Sequence, residues 1–284
     1  MPVRVLLVPN TAKQASSSAV AELIAWLDEG GFDPVLTLDD AAEMGVGSYG
    51  VSPSEIGSPI LAVALGGDGT ILKAVHILGD VEVPILGINL GRLGFMTGAS
   101  AKRLTEVVAS ALAGEGRLER RTTLAAEVTM DGRVGGRYRA LNEVFVGRSG
   151  SGRVIEVALD INGMNMATFT CDGVIIATST GSTAYALSAG GPIVSPDVQC
   201  QIVIPVAPHT LIQRAMVLSM SDRVELRFPN PARRDACLYV DGVMMPCRSA
   251  IDKVEIGPAS HEVLLLKLQG RDFFEVVRDE FLRR

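Results

Sequence analysis

Hydrophobic and polar positions change their rhythm once along the chain, near residue 120. Before that point, short apolar runs alternate with stretches in which apolar residues recur at helical spacing. VRVLLVP (3–9) predicts a buried strand, and SSSAVAELIAWLDEGG (16–31) predicts an amphipathic helix with a serine-rich start and a glycine stop. FDPVLTL (32–38), PILAVAL (59–65) and PILGINL (84–90) predict further strands, with helices from Thr70 and over about 100–113. Between FDPVLTL and PILAVAL, GVGSYGVSPSEIGS (45–58) looks variable. Strands alternating with helices predict an α/β domain over residues 1–120, built on a doubly wound, mostly parallel sheet. Ligands of such sheets bind at the carboxyl ends of the strands, where GGDGT (66–70) and GRLGF (91–95) fall.

After residue 120 the runs shorten and turn dipeptides punctuate them. Asp131-Gly132, Asn162-Gly163, Asp172-Gly173 and Asp241-Gly242 are strong tight-turn signals. They predict a β-rich, antiparallel, sandwich-like domain over 121–270. STAYALSAGG (182–191) interrupts it as a short helix with a glycine stop. The amphipathic end, DFFEVVRDEFLRR within 271–284, is expected to pack back on the first domain.

Composition narrows the class. With 284 residues, 48% apolar and 20% charged, the chain has enough core for two globular domains. A net charge of −6 argues against a nucleic-acid surface, and Arg117, Arg120 and Arg121 read as a solvated face beside the domain junction. Four cysteines without CxxC spacing predict free thiols. The first apolar run is too short for a signal peptide and no stretch reaches membrane-spanning length, so a cytoplasmic protein with no membrane partner is expected. His76, His209 and His261 have no metal-ligand spacing, so no protein-built metal site is expected.

The candidate chemistry is LGGDGT (65–70). Glycines at a strand-to-helix turn permit positive φ and close backbone approach, and the first amides of a helix favour an anion. The turn is neither a Walker loop nor a dinucleotide fingerprint. Asp68 in its middle repels a phosphate unless a divalent cation lies between them or the carboxylate takes a hydroxyl proton during phosphoryl transfer. Both uses point to a kinase. Lys73, one turn into the helix, adds positive charge near phosphates in that reading and is an exposed helix lysine in the other.

Together LGGDGTILKA (65–74), GINLGRLGFMT (87–97), ALNEVFVGR (140–148) and DGVIIATSTGSTAYALSAGGPIV (172–194) resemble bacterial NAD kinases over most of the chain. The turn alone is shared with lipid kinases and, more loosely, sugar-phosphate kinases; the GSTAYALSAGGP block is what singles out the family. The resemblance implies transfer of the γ-phosphoryl of ATP, or of polyphosphate, to the 2′-hydroxyl of the adenosine ribose of NAD, giving NADP. It implies Mg²⁺ or Mn²⁺ carried with the nucleotide, and a homodimer or homotetramer. It makes Asp68 the general base, with Gly66, Gly67 and Gly69 shaping the phosphate loop. Asn142 and Glu143 would contact the adenosine and Asp172 would lie near the nicotinamide. Thr183, Ala184, Tyr185 and Ser188 would line the dinucleotide pocket, and Phe95 and Ala207 its walls. Val243, after Asp241-Gly242, departs from the polar residue many relatives carry there. A lipid or sugar kinase, and a dinucleotide sensor without activity, are the competing readings.

Overall fold

The computed structural model describes residues 3–91, 94–97, 99–100, 103–150, 152–209, 214–268 and 272–282. Arg92 and Leu93 of GRLGF, and residues 271 and 283–284 of the stretch expected to pack back on the first domain, lie outside them. In chain order the first stretch builds β1 (Val3–Pro9), α1 (Gln14–Glu29), β2 (Phe32–Thr37), α2 (Leu38–Met44), β3 (Gly50–Val51) and α3 (Pro53–Ile56). It continues with β4 (Leu61–Leu65), α4 (Asp68–Leu78), β5 (Pro84–Asn89), β6 (Ala99–Ser100), α5 (Leu104–Leu112) and β7 (Arg117–Arg121). Strands β8 (Leu124–Met130), β9 (Arg133–Ala140), β10 (Glu143–Arg148), β11 (Ile155–Ile161), β12 (Met164–Cys171) and β13 (Gly173–Thr178) follow, then α6 (Tyr185–Ser188). The rest is β14 (Cys200–Val206), β15 (Met216–Ser219), β16 (Val224–Arg227), β17 (Ala236–Val240), β18 (Val243–Met244), β19 (Ile251–Pro258), β20 (Val263–Lys267) and α7 (Phe273–Val277). Among the described residues no helix is long and apolar enough to cross a membrane.

The chain divides into a first unit, residues 1–120 with 263–284, and a second, residues 121–262. In the first unit one sheet runs β3-β2-β1-β4-β5-β20-β7, with β6 beside β5. Every pairing among β1 to β6 and between β5 and β20 is parallel. Of its central strands β4 is buried throughout and β1 from Val5 onward, which is why they read as continuous apolar runs. On α1, Ala19, Val20, Leu23, Ile24 and Leu27 form the buried stripe that packs into this core. Strand β20 falls before the boundary at 270 drawn from the pattern change, yet it belongs to this first sheet.

The second unit is a pair of antiparallel sheets, β15-β14-β13-β10-β17-β18 and β12-β11-β16-β19-β8-β9. Val144, Val146, Val174 and Ile176 from one sheet and Val128, Val157, Leu226 and Val254 from the other meet in one core, as in a sandwich. The opposite face of the first of these sheets carries a smaller cluster of Ile175, Ala177, Cys200, Ile202 and Ile204, covered by Ala186 of α6.

Several local expectations change. Helix α4 begins at Asp68 rather than Thr70, so the carboxylate sits in the first helical turn. The stretch 45–58 holds the edge strand β3 and the helix α3, whose Ser52 and Glu55 form a capping box. Asp131-Gly132, Asn162-Gly163 and Asp241-Gly242 adopt positive φ at both residues, the two-residue hairpin geometry, and join β8 to β9, β11 to β12 and β17 to β18. Asp172-Gly173 makes no hairpin; it carries the chain from β12 in one sheet to β13 in the other. Arg121, expected on a solvated face, is buried.

Candidate active site

Strand β4 delivers the chain to Gly66 and Gly67, and α4 starts at once. None of Gly66, Gly67 and Gly69 has positive φ, so conformational freedom is not why glycine stands there. A Cβ on Gly66 would collide with the Thr70 hydroxyl, whereas Gly67 and Gly69 face open space. That space is a cavity of about 300 Å³ lined by Pro9, Asn10, Thr11, Lys13, Gly67, Gly69, Thr70 and Lys73. Side chains at 67 or 69 would fill it. No side chain caps α4, so the cavity meets helix-start amides together with two lysines, a set suited to a phosphate chain.

Asp68 is half-buried and held by two backbone amides. Phe95 N–H donates to Oδ2 at 2.9 Å and Met96 N–H to Oδ1 at 3.0 Å. The approach needs Gly94, where any Cβ would strike the carboxylate. The Phe95 ring itself lies among Phe273 and Phe281, with centroids 5.8 Å away in each case. So Phe95 meets Asp68 through its amide while its ring anchors the loop.

Lys73 lines the cavity, but its ammonium is paired with Asp40, which is 2% exposed. The expectation of an added positive charge at Lys73 is therefore partly cancelled. Lys13, exposed and without an ion-pair partner among the described residues, is the uncompensated cation of the cavity. Asn10, Thr11, Lys13 and Asp40 did not emerge from the sequence reading. The signal that finds the first three is position: they follow β1, which pairs in parallel with β4, at the same carboxyl edge of the sheet.

In the second unit the candidate residues gather on the face of the β13-β10-β17 sheet turned away from the sandwich core. Asn142 lies just before β10, so strand alternation does not govern the Asn142-Glu143 pair. Instead the buried Asp241 carboxylate takes N–H bonds from Leu141, Asn142 and Glu143 at 2.9, 2.7 and 3.1 Å. Asn142 is pinned again by Thr178, whose N–H donates to the Asn142 carbonyl at 2.8 Å. Gly181 packs on that carbonyl so closely that a Cβ would collide with it. The Ser182 hydroxyl bonds Val194, so it is spent on the fold. Asp241, which sequence shows only as a turn residue, is the organising group.

Glu143 is 6% exposed, and its Oε2 has no hydrogen-bond partner among the described residues. Burial pushes its carboxyl up from the ordinary value to about 7; the nearby Asp241 charge adds to the rise and a bond from the Tyr185 amide opposes it. The Tyr185 ring meets Phe145 edge-on at 5.2 Å, and Phe145 lies 5.7 Å from Tyr239. Tyr185 and Ser188 are exposed and Thr183 and Ala184 half-buried, leaving an aromatic, partly polar surface beside a costly carboxyl.

Asp172 and Ala207 lie at the other end of this sheet. Five residue steps of β13 separate Gly173 from Thr178, roughly 17 Å at strand rise. Asp172 accepts from Arg148 Nε at 2.9 Å, so a cation approaching it competes with a guanidinium already there. Ala207 holds φ at 46°, a left-handed conformation that costs on the order of 1 kcal/mol without glycine. Val243 is half exposed on the edge strand β18. A larger cavity of about 840 Å³ lies over the other sheet, where Arg227 pairs with Asp160 and Glu225, and Lys253 with Glu225 and Glu255. Those charges neutralise one another across the strands.

Among the described residues no group of three or more His, Cys, Asp or Glu side chains is placed to hold a metal ion. The lining of the cavity beside GGDGT carries two lysines and no carboxylate, so these residues do not build a cation cage.

Residues 51–116 match the family model described as ATP-NAD kinase N-terminal domain, and residues 141–268 that described as ATP-NAD kinase C-terminal domain. The chain is 37% identical over 261 residues to the NAD kinase of Geobacter sulfurreducens, covering 91% of this chain and 90% of that one. It is 34% identical over 282 residues to the NAD kinase of Caldanaerobacter subterraneus, covering 99% of each. Among solved structures, the yeast NADH kinase complexed with NADH superposes with a TM-score of 0.88 at 25% identity, over 99% of this chain and 87% of that one. An NAD kinase from Archaeoglobus fulgidus in complex with ATP gives a TM-score of 0.75 at 28% identity, over 97% and 99%.

Proposed function

Because the chain belongs to the NAD kinase family, we propose that it moves the γ-phosphoryl of ATP onto the 2′-hydroxyl of the adenosine ribose of NAD, giving NADP. The observation that carries this reading is the Asp68 carboxylate, oriented by two amides and flanked in the chain by Gly67 and Gly69, which line a cavity of phosphate-binding character. Each oxygen keeps lone pairs beyond the one its amide uses, so the group can accept a hydroxyl proton. As the ribose oxygen attacks the γ-phosphorus, Asp68 takes its proton and the bond to the ADP oxygen breaks. Gly67 and Gly69 leave room for the donor phosphates, and Lys13, with a smaller share from the Asp40-paired Lys73, offsets their charge. Mg²⁺ or Mn²⁺ enters bound to the nucleotide.

In the same reading Asn142 and Glu143 take the adenosine, an amide and a carboxyl matching a purine edge and a ribose diol. A buried carboxyl titrating near neutrality, with one oxygen unbonded, is a group the fold keeps at a cost, and such groups concentrate at working sites. Tyr185, with Thr183, Ala184 and Ser188, lines the dinucleotide pocket; Asp172 and Ala207 lie toward the nicotinamide, and Phe95 supports the base. Polyphosphate is the alternative donor, and a cytoplasmic homodimer or homotetramer completes the proposal. The test is NADP formation with ATP and polyphosphate supplied separately. Asp68→Asn is expected to lower kcat at least about 100-fold with NAD binding much less affected. Near-normal turnover in that variant removes the base assignment.

A further inference from the structure

We infer that the carboxyl-terminal return of the chain, residues 263–268 and 272–282, positions the Asp68 carboxylate, with Lys267 as the positioning residue and Phe281 as a second hold. The inference rests on Asp68 being the base. The segment 94–97 that supplies both Asp68 amides has no helix or strand of its own; its internal bond runs from Gly94 N–H to Thr97 Oγ1 at 3.0 Å. Its stiffness comes from elsewhere. Strand β20 pairs in parallel with β5, Leu264 to Leu266 lying opposite Pro84 to Leu86. That register brings Lys267 level with Gly87, where an added Cβ would stand 3.1 Å from the Thr97 Cα, so the segment lies close over the sheet. The Lys267 ammonium then donates to the Met96 carbonyl at 2.7 Å and the Thr97 carbonyl at 3.1 Å. Amides on one side hold Asp68 while carbonyls on the other are held by Lys267.

The second hold is aromatic. Phe95 stacks on Phe281 with ring planes 20° apart and touches Phe273 at a tilt of 51°. A displacement of residues 95 and 96 as a whole, which would withdraw their amides from Asp68, has to break this stack or the ammonium contacts. A displacement of about 1 Å at a catalytic group costs about 100-fold in rate.

Steady-state NADP formation by the full chain tests this with Lys267→Met, Lys267→Arg, Phe281→Ala, Asp68→Asn and the double variant Asp68→Asn/Lys267→Met. Lys267→Met is expected to lower kcat about 10- to 100-fold with KM for NAD and ATP within about twofold. Lys267→Arg, which keeps a cation with several donors, restores most of that loss. On the Asp68→Asn background, Lys267→Met has no further effect, because the group it positions is gone. Phe281 is 43% exposed, so Phe281→Ala leaves the core intact and lowers kcat in the same direction by less. An unchanged kcat in Lys267→Met or Phe281→Ala overturns the inference, as does a Lys267→Met loss equally large without the Asp68 carboxylate. Near-normal turnover in Asp68→Asn overturns the base reading instead, and the two failures are told apart by that single variant.

Discussion

Replacing Glu143 by Gln is expected to stabilise the protein above neutral pH and to change nothing in acid. The carboxyl titrates near its ordinary value of 4.5 in the unfolded chain and at about 7 in the fold, chiefly through burial. Below both values each state holds the proton, and Glu143 carries no electrostatic penalty. As pH rises from about 4.5 to 7 the unfolded chain releases the proton while the fold retains it, so stability falls through that window and levels off above it. At about 1.4 kcal/mol for each pH unit of difference, the cost at pH 8 is on the order of 3 kcal/mol. Set against a typical total of about 5–15 kcal/mol, that is large. Gln keeps the shape and the carbonyl that accepts the Tyr185 amide, but has no charge to desolvate. Urea unfolding followed by circular dichroism at pH 4, 6 and 8 checks it: the variant's advantage should be absent at pH 4 and near its full size at pH 8. An equal midpoint difference at all three values, or a less stable variant at pH 8, refutes the argument. The same variant is expected to bind NAD more weakly, so the charge is retained at the expense of stability.

The ion pair Lys73–Asp40 is asymmetric: Asp40 is 3% exposed at its side chain and Lys73 38%. Lys73→Met strands a buried carboxylate and should cost about 3 kcal/mol, whereas Asp40→Asn leaves an ammonium that water can reach and should cost under about 1 kcal/mol. Thermal denaturation of the two variants decides, and equal losses contradict it. Gly181→Ala forces the Asn142 carbonyl to move and should destabilise by about 1–3 kcal/mol. Gly67→Ala meets nothing within 4 Å and should keep stability while raising KM for ATP, because its methyl enters the cavity. Loss of stability in Gly67→Ala, or none in Gly181→Ala, would reverse the roles given to these glycines.

Strands with both faces buried were legible because continuous apolar runs admit few alternatives: β1 runs over Val3–Pro9, the span of the run itself. The start of α4 was misplaced by two residues because glycines hide a helix start, and those two residues decide where Asp68 sits. Three of four turn dipeptides obeyed local chemistry; Asp172-Gly173 did not, because a change of sheet is set by tertiary pairing. The groups that order the candidate site were illegible for the same reason. Asp241 reaches back about a hundred residues to bond Leu141, and Lys267 about 170 to bond Met96. Periodicity reports neighbours within a turn or a strand and carries nothing about such contacts.

The position of β20 also dictates an order of assembly. Its neighbours β5 and β7 are finished by residue 121, but the strand between them arrives at 263–267. On a ribosome the second unit, residues 121–262, emerges whole while the first sheet still has a gap. Until residue 267 has left the tunnel, β5 and β7 expose unpaired edges that invite other chains. Stalled or truncated products of this chain should therefore aggregate through an incomplete amino-terminal sheet while carrying a finished sandwich.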